Sequence, residues 1–354
     1  MQSFEALSYR GQARRLAELA REALAAYALQ PARLQLLRHE TNTTFRADMP
    51  DDQCYVLRIH RPDGHSLPAV RSEMLWLQAL CREPGMHAPE PISAHDGALV
   101  RAVEAPGVPG PRLCVVFRWL EGRFFGEGLT PTHLERVGAL TARLHLFSAR
   151  WHPPTGFARS RVDTLSAAAR RSSPFSPDAV AADAANDHPW EADVARAMDL
   201  VTAASRGEDR ATVEAALARI RAVLRELGTT PDAFGLIHGD LHQENYCFHG
   251  GTVRAIDFDD CGYGHYLYDL GVTLIELQQL PRYEELRAAL LAGYRRLRPL
   301  PTAYERYLDT FFALRRLQLL MWVLESREHP AFRDEWIPWS RDLLSGVERF
   351  LATS

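Results

Sequence analysis

The apolar and polar positions divide the chain into two regions of different period. Between residues 31 and 120 the apolar residues come in short or alternating runs: "ARLQLLRH", "TTFRAD", "CYVLRIH", "ALVRAV" and "RLCVVFRWL". Pro, Gly and Asp separate them in "MPDD", "RPDGHS" and "EAPGVPGP". Alternation bounded by turn residues predicts strands, so a small sheet of about five is expected. One helix interrupts them, "LPAVRSEMLWLQALCRE", where Val70, Met74, Leu77 and Leu80 share a face and Pro84 and Gly85 end it. Ahead of the sheet, Leu16, Leu19, Ala20, Ala23 and Leu24 line one side of an N-terminal amphipathic helix.

From residue 130 the period becomes helical. Thr130 with Pro131 is an N-cap followed by a first-turn proline, opening "THLERVGALTARLHLFS". The Ser, Ala, Asp and Pro content of "SRVDTLSAAARRSSPFSPDAVAADAANDHPW" predicts loosely packed helices and a mobile connection. "DRATVEAALARIRAVLREL" is amphipathic again. Four more helices are expected in "LYDLGVTLIELQQL", "YEELRAALLAGYRRL", "YERYLDTFFALRRLQLLMWVLES" and "WSRDLLSGVERFLA". The result is an α+β chain: a small sheet lobe, a connection at 117–121, then a larger helical lobe. Trp76, Trp119 and Trp322 read as core residues.

Composition narrows the function. The 354 residues are 46% hydrophobic and 24% charged with net charge −4, ordinary for a globular protein and without the basic excess that nucleic acid calls for. The N-terminus lacks the basic region and apolar core of a signal peptide. No apolar run reaches the roughly 20 residues of a membrane span. Five cysteines without a C-x-x-C pair predict reduced thiols and a cytoplasmic location.

The chemistry concentrates in "GLIHGDLHQENYCFHGGTVRAIDFDDCG", expected as two short strands with loops. It gathers His238, Asp240, His242, Asn245, Asp257, Asp259 and Asp260. A transition-metal site, a magnesium and phosphate site, and a solvated loop compete. His238 and His242 stand at i, i+4, the spacing of two zinc ligands on a helix. Gly239 between them and the β-like "FGLI" before them oppose a helix, and no glutamate takes the place that H-E-x-x-H requires. The phosphoryl-transfer reading fits better. His238-Gly239-Asp240, then Asn245 five positions after the aspartate, reproduces the kinase catalytic-loop spacing. Beyond it "VRAI" delivers Asp257, where kinases place a metal-binding aspartate. Magnesium takes oxygen ligands from one or two protein groups plus phosphate and water, and Asn245 and Asp257 can supply them.

"HGDLHQEN" and "AIDFDDCGYGHYLYDLG" resemble the motifs of the aminoglycoside phosphotransferase and choline kinase superfamily. "YVLRIHRP", "RSEMLWLQAL" and "FRWLEGR" are similar to a bacterial branch with type II homoserine kinases and stress-response Ser/Thr kinases. The likeness covers roughly residues 35–300 and implies a bilobal protein-kinase-like fold. Its antiparallel N-lobe would span 1–117 and its mainly helical C-lobe 118–354.

The resemblance makes Asp240 the catalytic base or hydroxyl-orienting group and Asn245 and Asp257 magnesium ligands. His238 supports the loop, Asp269 accepts loop backbone hydrogen bonds, and Asp259 and Asp260 stay ambiguous. Arg58 stands where kinases carry a phosphate-gripping lysine, and Glu73 is its expected partner. Asn42, Thr43 and Thr44 occupy the phosphate-loop position, and Phe117 to Leu120, Trp119 included, the adenine-binding hinge. The implied activity is ATP- and magnesium-dependent phosphorylation of a hydroxyl group. A small-molecule alcohol is favoured over a protein serine or threonine, with a nucleotide-binding pseudokinase as the non-enzymatic rival. No nucleic-acid or membrane partner is expected.

Overall fold

Alternating runs between Arg33 and Arg118 pair as one antiparallel sheet. In chain order the elements are α1 (Tyr9–Ala26), β1 (Arg33–His39), β2 (Thr43–Asp48), β3 (Cys54–Ile59), α2 (Leu67–Cys81), β4 (Pro91–Ile92), β5 (Arg101–Val103) and β6 (Arg112–Arg118). The computed structural model describes residues 3–39, 41–62, 64–165, 188–204, 207–327 and 335–353. The strand order is β1-β2-β3-β6-β4, with β5 also on β6, so the sheet has six strands where about five were expected. The additional strand, β4, is two residues long and starts at a proline, too short for alternation to reveal.

Alternation sorts the sheet's side chains into two faces. Phe45, Ala47, Leu57, Ile59, Cys114 and Val116 point to one side and bury against Leu16, Leu19, Ala20, Ala23 and Leu24 of α1. Each fully buried leucine contributes about 1.5–3 kcal/mol. The other face carries Thr44, Arg46, Val56, Arg58 and Phe117, cross-strand neighbours in the β2–β3 and β3–β6 registers. Helix α2 starts at Ser66, whose hydroxyl accepts from the Ala69 N–H at 3.4 Å, with a proline in the first turn.

The chain divides into two units, Met1–Gly122 and Arg123–Ser354. The division falls after Phe117 because β6 runs on to Arg118, and the Trp119 N–H then bonds the Cys54 carbonyl at 3.0 Å.

The second unit begins with α3 (Pro131–Arg150), followed by α4 (His188–Ala204) and α5 (Gly207–Leu227). Thr130 caps α3: its hydroxyl accepts from His133 N–H, and the His133 ring accepts from the Thr130 N–H. Next come β7 (Phe234–Ile237), β8 (Tyr246–His249), β9 (Thr252–Ala255) and β10 (Gly262–His265), then α6 (Tyr266–Ile275), α7 (Tyr283–Arg295), α8 (Leu308–Ser326) and α9 (Trp336–Ala352). The stretch expected as two strands thus holds three, with β10 starting at its last residue; the pairs are β8–β9 and β10–β7. The β8–β9 hairpin turns through Gly250 and Gly251, both at positive φ, as a two-residue primed turn requires. Strand β10, "GYGH", has little strand propensity and is defined by its pairing with β7.

Residues 166–187, most of the expected loose connection, lie outside the described residues. Trp76 is fully buried, as expected, whereas Trp119 and Trp322 are half-buried; Trp322 meets Trp339 with ring centroids 6.4 Å apart. None of the five cysteines forms a disulfide. Among the described residues no helix is long and apolar enough to cross a membrane.

Helices α3 and α7 cross with their backbones nearly touching. A Cβ at Gly138 would lie 2.0 Å from the Leu290 carbonyl oxygen, and one at Gly293 would lie 1.9 Å from that of Glu135. Backbone cannot yield as a flexible side chain does. Gly138→Ala or Gly293→Ala is therefore expected to lower Tm by roughly 3–10 °C in a thermal melt. Gly207→Ala, where a Cβ meets open space, should leave Tm unchanged or slightly raised. Equal melting of all three would contradict the crossing.

Candidate active site

In the first unit Arg58, Thr44 and Phe117 share one sheet face, with Glu73 reaching Arg58 from α2. Arg58, from β3, points its Nη2 at both carboxylate oxygens of Glu73 on α2, each at 2.6 Å. The two side chains are 5% and 0% exposed. A guanidinium and a carboxylate removed from water hold together only when paired in good geometry. The Arg58 guanidinium carbon also stands 5.1 Å from the Phe117 ring centroid, and Thr44 lies across the ladder from Arg58. The Trp119 ring lies beneath Arg46 at 4.5 Å. The backbone N–H groups of Arg118 and Trp119 donate to Glu90 and Cys54 carbonyls. Thr43 faces the opposite side, its hydroxyl 2.8 Å from the His39 ring, and the Asn42 side-chain oxygen accepts from Arg61 N–H at 3.4 Å.

In the second unit the loop between β7 and β8 is held from beneath. Asp269, fully buried on α6, accepts from the N–H of His238 at 2.9 Å and of Gly239 at 2.8 Å. His145 on α3 donates its Nε2–H to the same carboxylate at 3.2 Å, while its Nδ1 stands 2.9 Å from the Tyr294 hydroxyl. Burial lowers the His145 pKa and outweighs the pull of Asp269, so the ring is neutral. His238 donates Nε2–H to the Ile256 carbonyl at 3.0 Å and accepts the Asp240 N–H on Nδ1. Both expected support roles, for His238 and for Asp269, are thus visible as bonds. Gly239 is obligatory: its φ is +81°, and a Cβ would meet the Asp260 carbonyl oxygen at 2.5 Å.

The loop presents Asp240 and Asn245 together. The Asn245 Nδ2 donates to the Asp240 carbonyl at 2.8 Å and to its Oδ2 at 3.1 Å. Arg315, from α8, donates to the Asp240 Oδ1, and His242 Nε2 lies 3.6 Å from Oδ2. Burial alone would raise the Asp240 pKa. The Arg315 charge and the His242 contact prevail and hold the carboxyl well below its usual range, hence ionised. Burial opposes protonation of His242, but Asp240 and then Glu276 move its pKa upward. The Arg315 guanidinium is pushed further above its already high range by Asp240, Tyr268 and Asp260, against the effect of burial.

Asp257 follows β9 and is exposed, with φ +58°. A left-handed non-glycine residue is uncommon, and aspartate is among the few that adopt it. The Ile256 N–H bonds the Asn245 carbonyl at 2.9 Å, so the backbone ties Asn245 to the residue before Asp257. The donor set suits magnesium. With Nδ2 turned to Asp240, the Asn245 amide presents its oxygen at the other end, and Asp257 supplies a second oxygen donor. It does not suit zinc: both His238 ring nitrogens are engaged within the loop, and His242 is bound up with Asp240, Glu244 and Glu276. Among the described residues no group of three or more His, Cys, Asp or Glu gathers to hold a metal.

Arg315 and His145 were not legible as site residues. Arg315 lies in "FFALRRLQLLMW", on the face shared by Phe311 and Gln318, a charge among apolar residues that needs a partner. That need was the available signal. Asp259 and Asp260 also find places: the Asp259 carbonyl accepts from Arg159, and the Asp260 charge faces Arg315.

A family model described as phosphotransferase enzyme family matches residues 33–300. An amicoumacin kinase of Bacillus subtilis (strain 168) is 24% identical over 306 residues, 84% of this chain and 81% of that protein. A solved microcompartment-associated aminopropanol kinase is 30% identical with TM-score 0.76, over 95% of this chain and 98% of that one. An amicoumacin kinase solved with AMP-PNP, Ca2+ and Ami has TM-score 0.73 at 19% identity, over 96% of each chain.

The Arg58–Glu73 contact makes a stability prediction independent of function. Glu73→Ala strands a buried guanidinium and should cost about 3–5 kcal/mol in denaturant unfolding, whereas the double replacement Arg58→Met with Glu73→Leu should cost less. Wild-type stability in Glu73→Ala would show that the two groups are not paired in the folded protein.

Proposed function

We propose that this chain, which belongs to the phosphotransferase enzyme family, moves the γ-phosphoryl group of ATP to a hydroxyl of a small molecule, with magnesium. The observation that carries the reading is the Asp240 carboxylate held beside the Asn245 amide, on a loop pinned to Asp269. Asp240 would accept a hydrogen bond from the acceptor hydroxyl and aim its oxygen at the γ-phosphorus. As the new P–O bond forms and ADP departs, the hydroxyl proton passes to this carboxylate and on to solvent. A strongly acidic carboxyl makes a weak base, so orientation is the larger share of its work. Asn245 and Asp257 would hold magnesium, which when bound neutralises phosphate charge. Arg58, kept in place by Glu73, would bind phosphate oxygens, and Thr44 and Phe117 lie beside it on the same face. For Asn42, Thr43 and Trp119 a part in nucleotide binding is proposed on the family resemblance alone.

The acceptor is proposed as a small molecule because the named relatives act on aminopropanol and amicoumacin. Five cysteines with no disulfide among them favour a reducing compartment, the cytoplasm.

A transfer assay tests this reading. With γ-labelled ATP, the full chain should label at least one compound in a panel of amino alcohols, including aminopropanol, with magnesium, and none with EDTA. Label appearing only in protein serine or threonine would replace the small-molecule acceptor with a protein. Tight stoichiometric zinc surviving dialysis would overturn the magnesium assignment.

A further inference from the structure

Arg315 has no part in the scheme above, and its surroundings assign it one. We propose that Arg315 is a positioning residue for phosphoryl transfer, fixing from α8 the plane of the Asp240 carboxylate so that its oxygens present one defined direction to the acceptor hydroxyl. The proposal rests on the phosphotransferase reading.

The loop backbone does not fix Asp240 by itself. Asp269 anchors the N–H groups of His238 and Gly239, but the Asp240 side chain keeps two torsions of its own. Its two oxygens are gripped from different sides: Oδ1 by the Arg315 Nη2, Oδ2 by the Asn245 Nδ2 at 3.1 Å. A carboxylate held at both oxygens by donors on separate elements cannot rotate without breaking one contact. Arg315 is held in turn. Its side chain is 12% exposed, and its Nη1 lies 3.5 Å from the Tyr268 hydroxyl on α6. That hydroxyl donates to Gln318, whose amide donates to the carbonyls of Val162 at 2.9 Å and Thr164 at 2.5 Å. The guanidinium therefore stands on a frame built from α6, α8 and the 162–164 segment.

Stability alone is a weak reason for this arginine. Helix α8 is buried on nearly every side, and an apolar residue at 315 would pack there without the desolvation that a buried guanidinium carries. What arginine adds is a planar fork that directs its partner. The other titratable groups nearby are His238 and His242 facing Asp240, Asp260 facing the guanidinium, and Glu276 facing His242.

A kinetic double-mutant cycle on the full chain tests the role, using aminopropanol as acceptor and, independently of acceptor identity, the slow hydrolysis of ATP by water. Arg315→Gln should lower kcat by about 10²-fold, the scale of a misplaced reacting group, with the KM for ATP nearly unchanged. Arg315→Lys, which keeps the charge and loses the fork, should recover part of that loss. In an Asp240→Asn background, Arg315→Gln should slow turnover no further, because its effect passes through that carboxylate. Wild-type turnover in Arg315→Gln, or losses that multiply in the double variant, overturns the proposal. Should Arg315→Gln fail to fold, Tyr268→Phe takes its place in the cycle, with a smaller kcat loss that vanishes in Asp240→Asn. A wild-type chain that transfers phosphate to neither aminopropanol nor water removes the phosphotransferase reading, and this role with it.

Discussion

One shielded carboxylate sets the position of everything chemical in the second unit. Asp269 has no access to solvent and receives two backbone N–H groups and one imidazole N–H. Such a group is costly to bury unless its acceptors are filled, and here the donors come from the loop it must hold. The loop can settle so closely because Gly239 lets its backbone touch that of Asp260. From that seat His238 reaches the Ile256 carbonyl, and the Ile256 N–H reaches Asn245. The segments bearing Asp240 and Asp257 are thereby held by short bonds to one helix.

Charge is organised on the same plan in both units. In each, a carboxylate and a guanidinium meet away from bulk water: Glu73 with Arg58, Asp240 with Arg315. Pairs of this kind are poor sources of stability, since apolar residues of the same size often do as well. What they provide is a fixed direction for a charge. That direction is what phosphoryl transfer needs, because positioning and charge neutralisation account for most of its catalysis.

The sequence makes plain what local rules control. Period two and its turn residues place five of the six strands of the first sheet, and "HETNTTFRAD" and "CYVLRIH" yield the β2–β3 pair that carries Arg58. Thr130 and Pro131 give the start of α3 from capping alone. The motif spacing identifies Asp240, Asn245 and Asp257 as neighbours, and the structure joins the first two directly and the third through the backbone. What stays hidden depends on tertiary contact. Strand β10 exists through its pairing with β7, and β4 is too short to have a period. Arg315 lies 75 residues from Asp240, so no local pattern could link them. Alternation along β2, weighed with the Arg58 register, would have separated Thr44 from Thr43 in advance.

In the proposed function Asp240 and Asp257 have different duties, the first towards the acceptor and the second towards the metal and phosphates. The most direct measurement is nucleotide affinity by calorimetry with a non-hydrolysable ATP analogue and magnesium, set beside turnover, for Asp240→Asn and Asp257→Asn. Asp240→Asn should keep its affinity while turnover falls by about 10²–10⁴-fold, and Asp257→Asn should lose both. Equal loss of affinity in the two variants, or full turnover in Asp240→Asn, would contradict it.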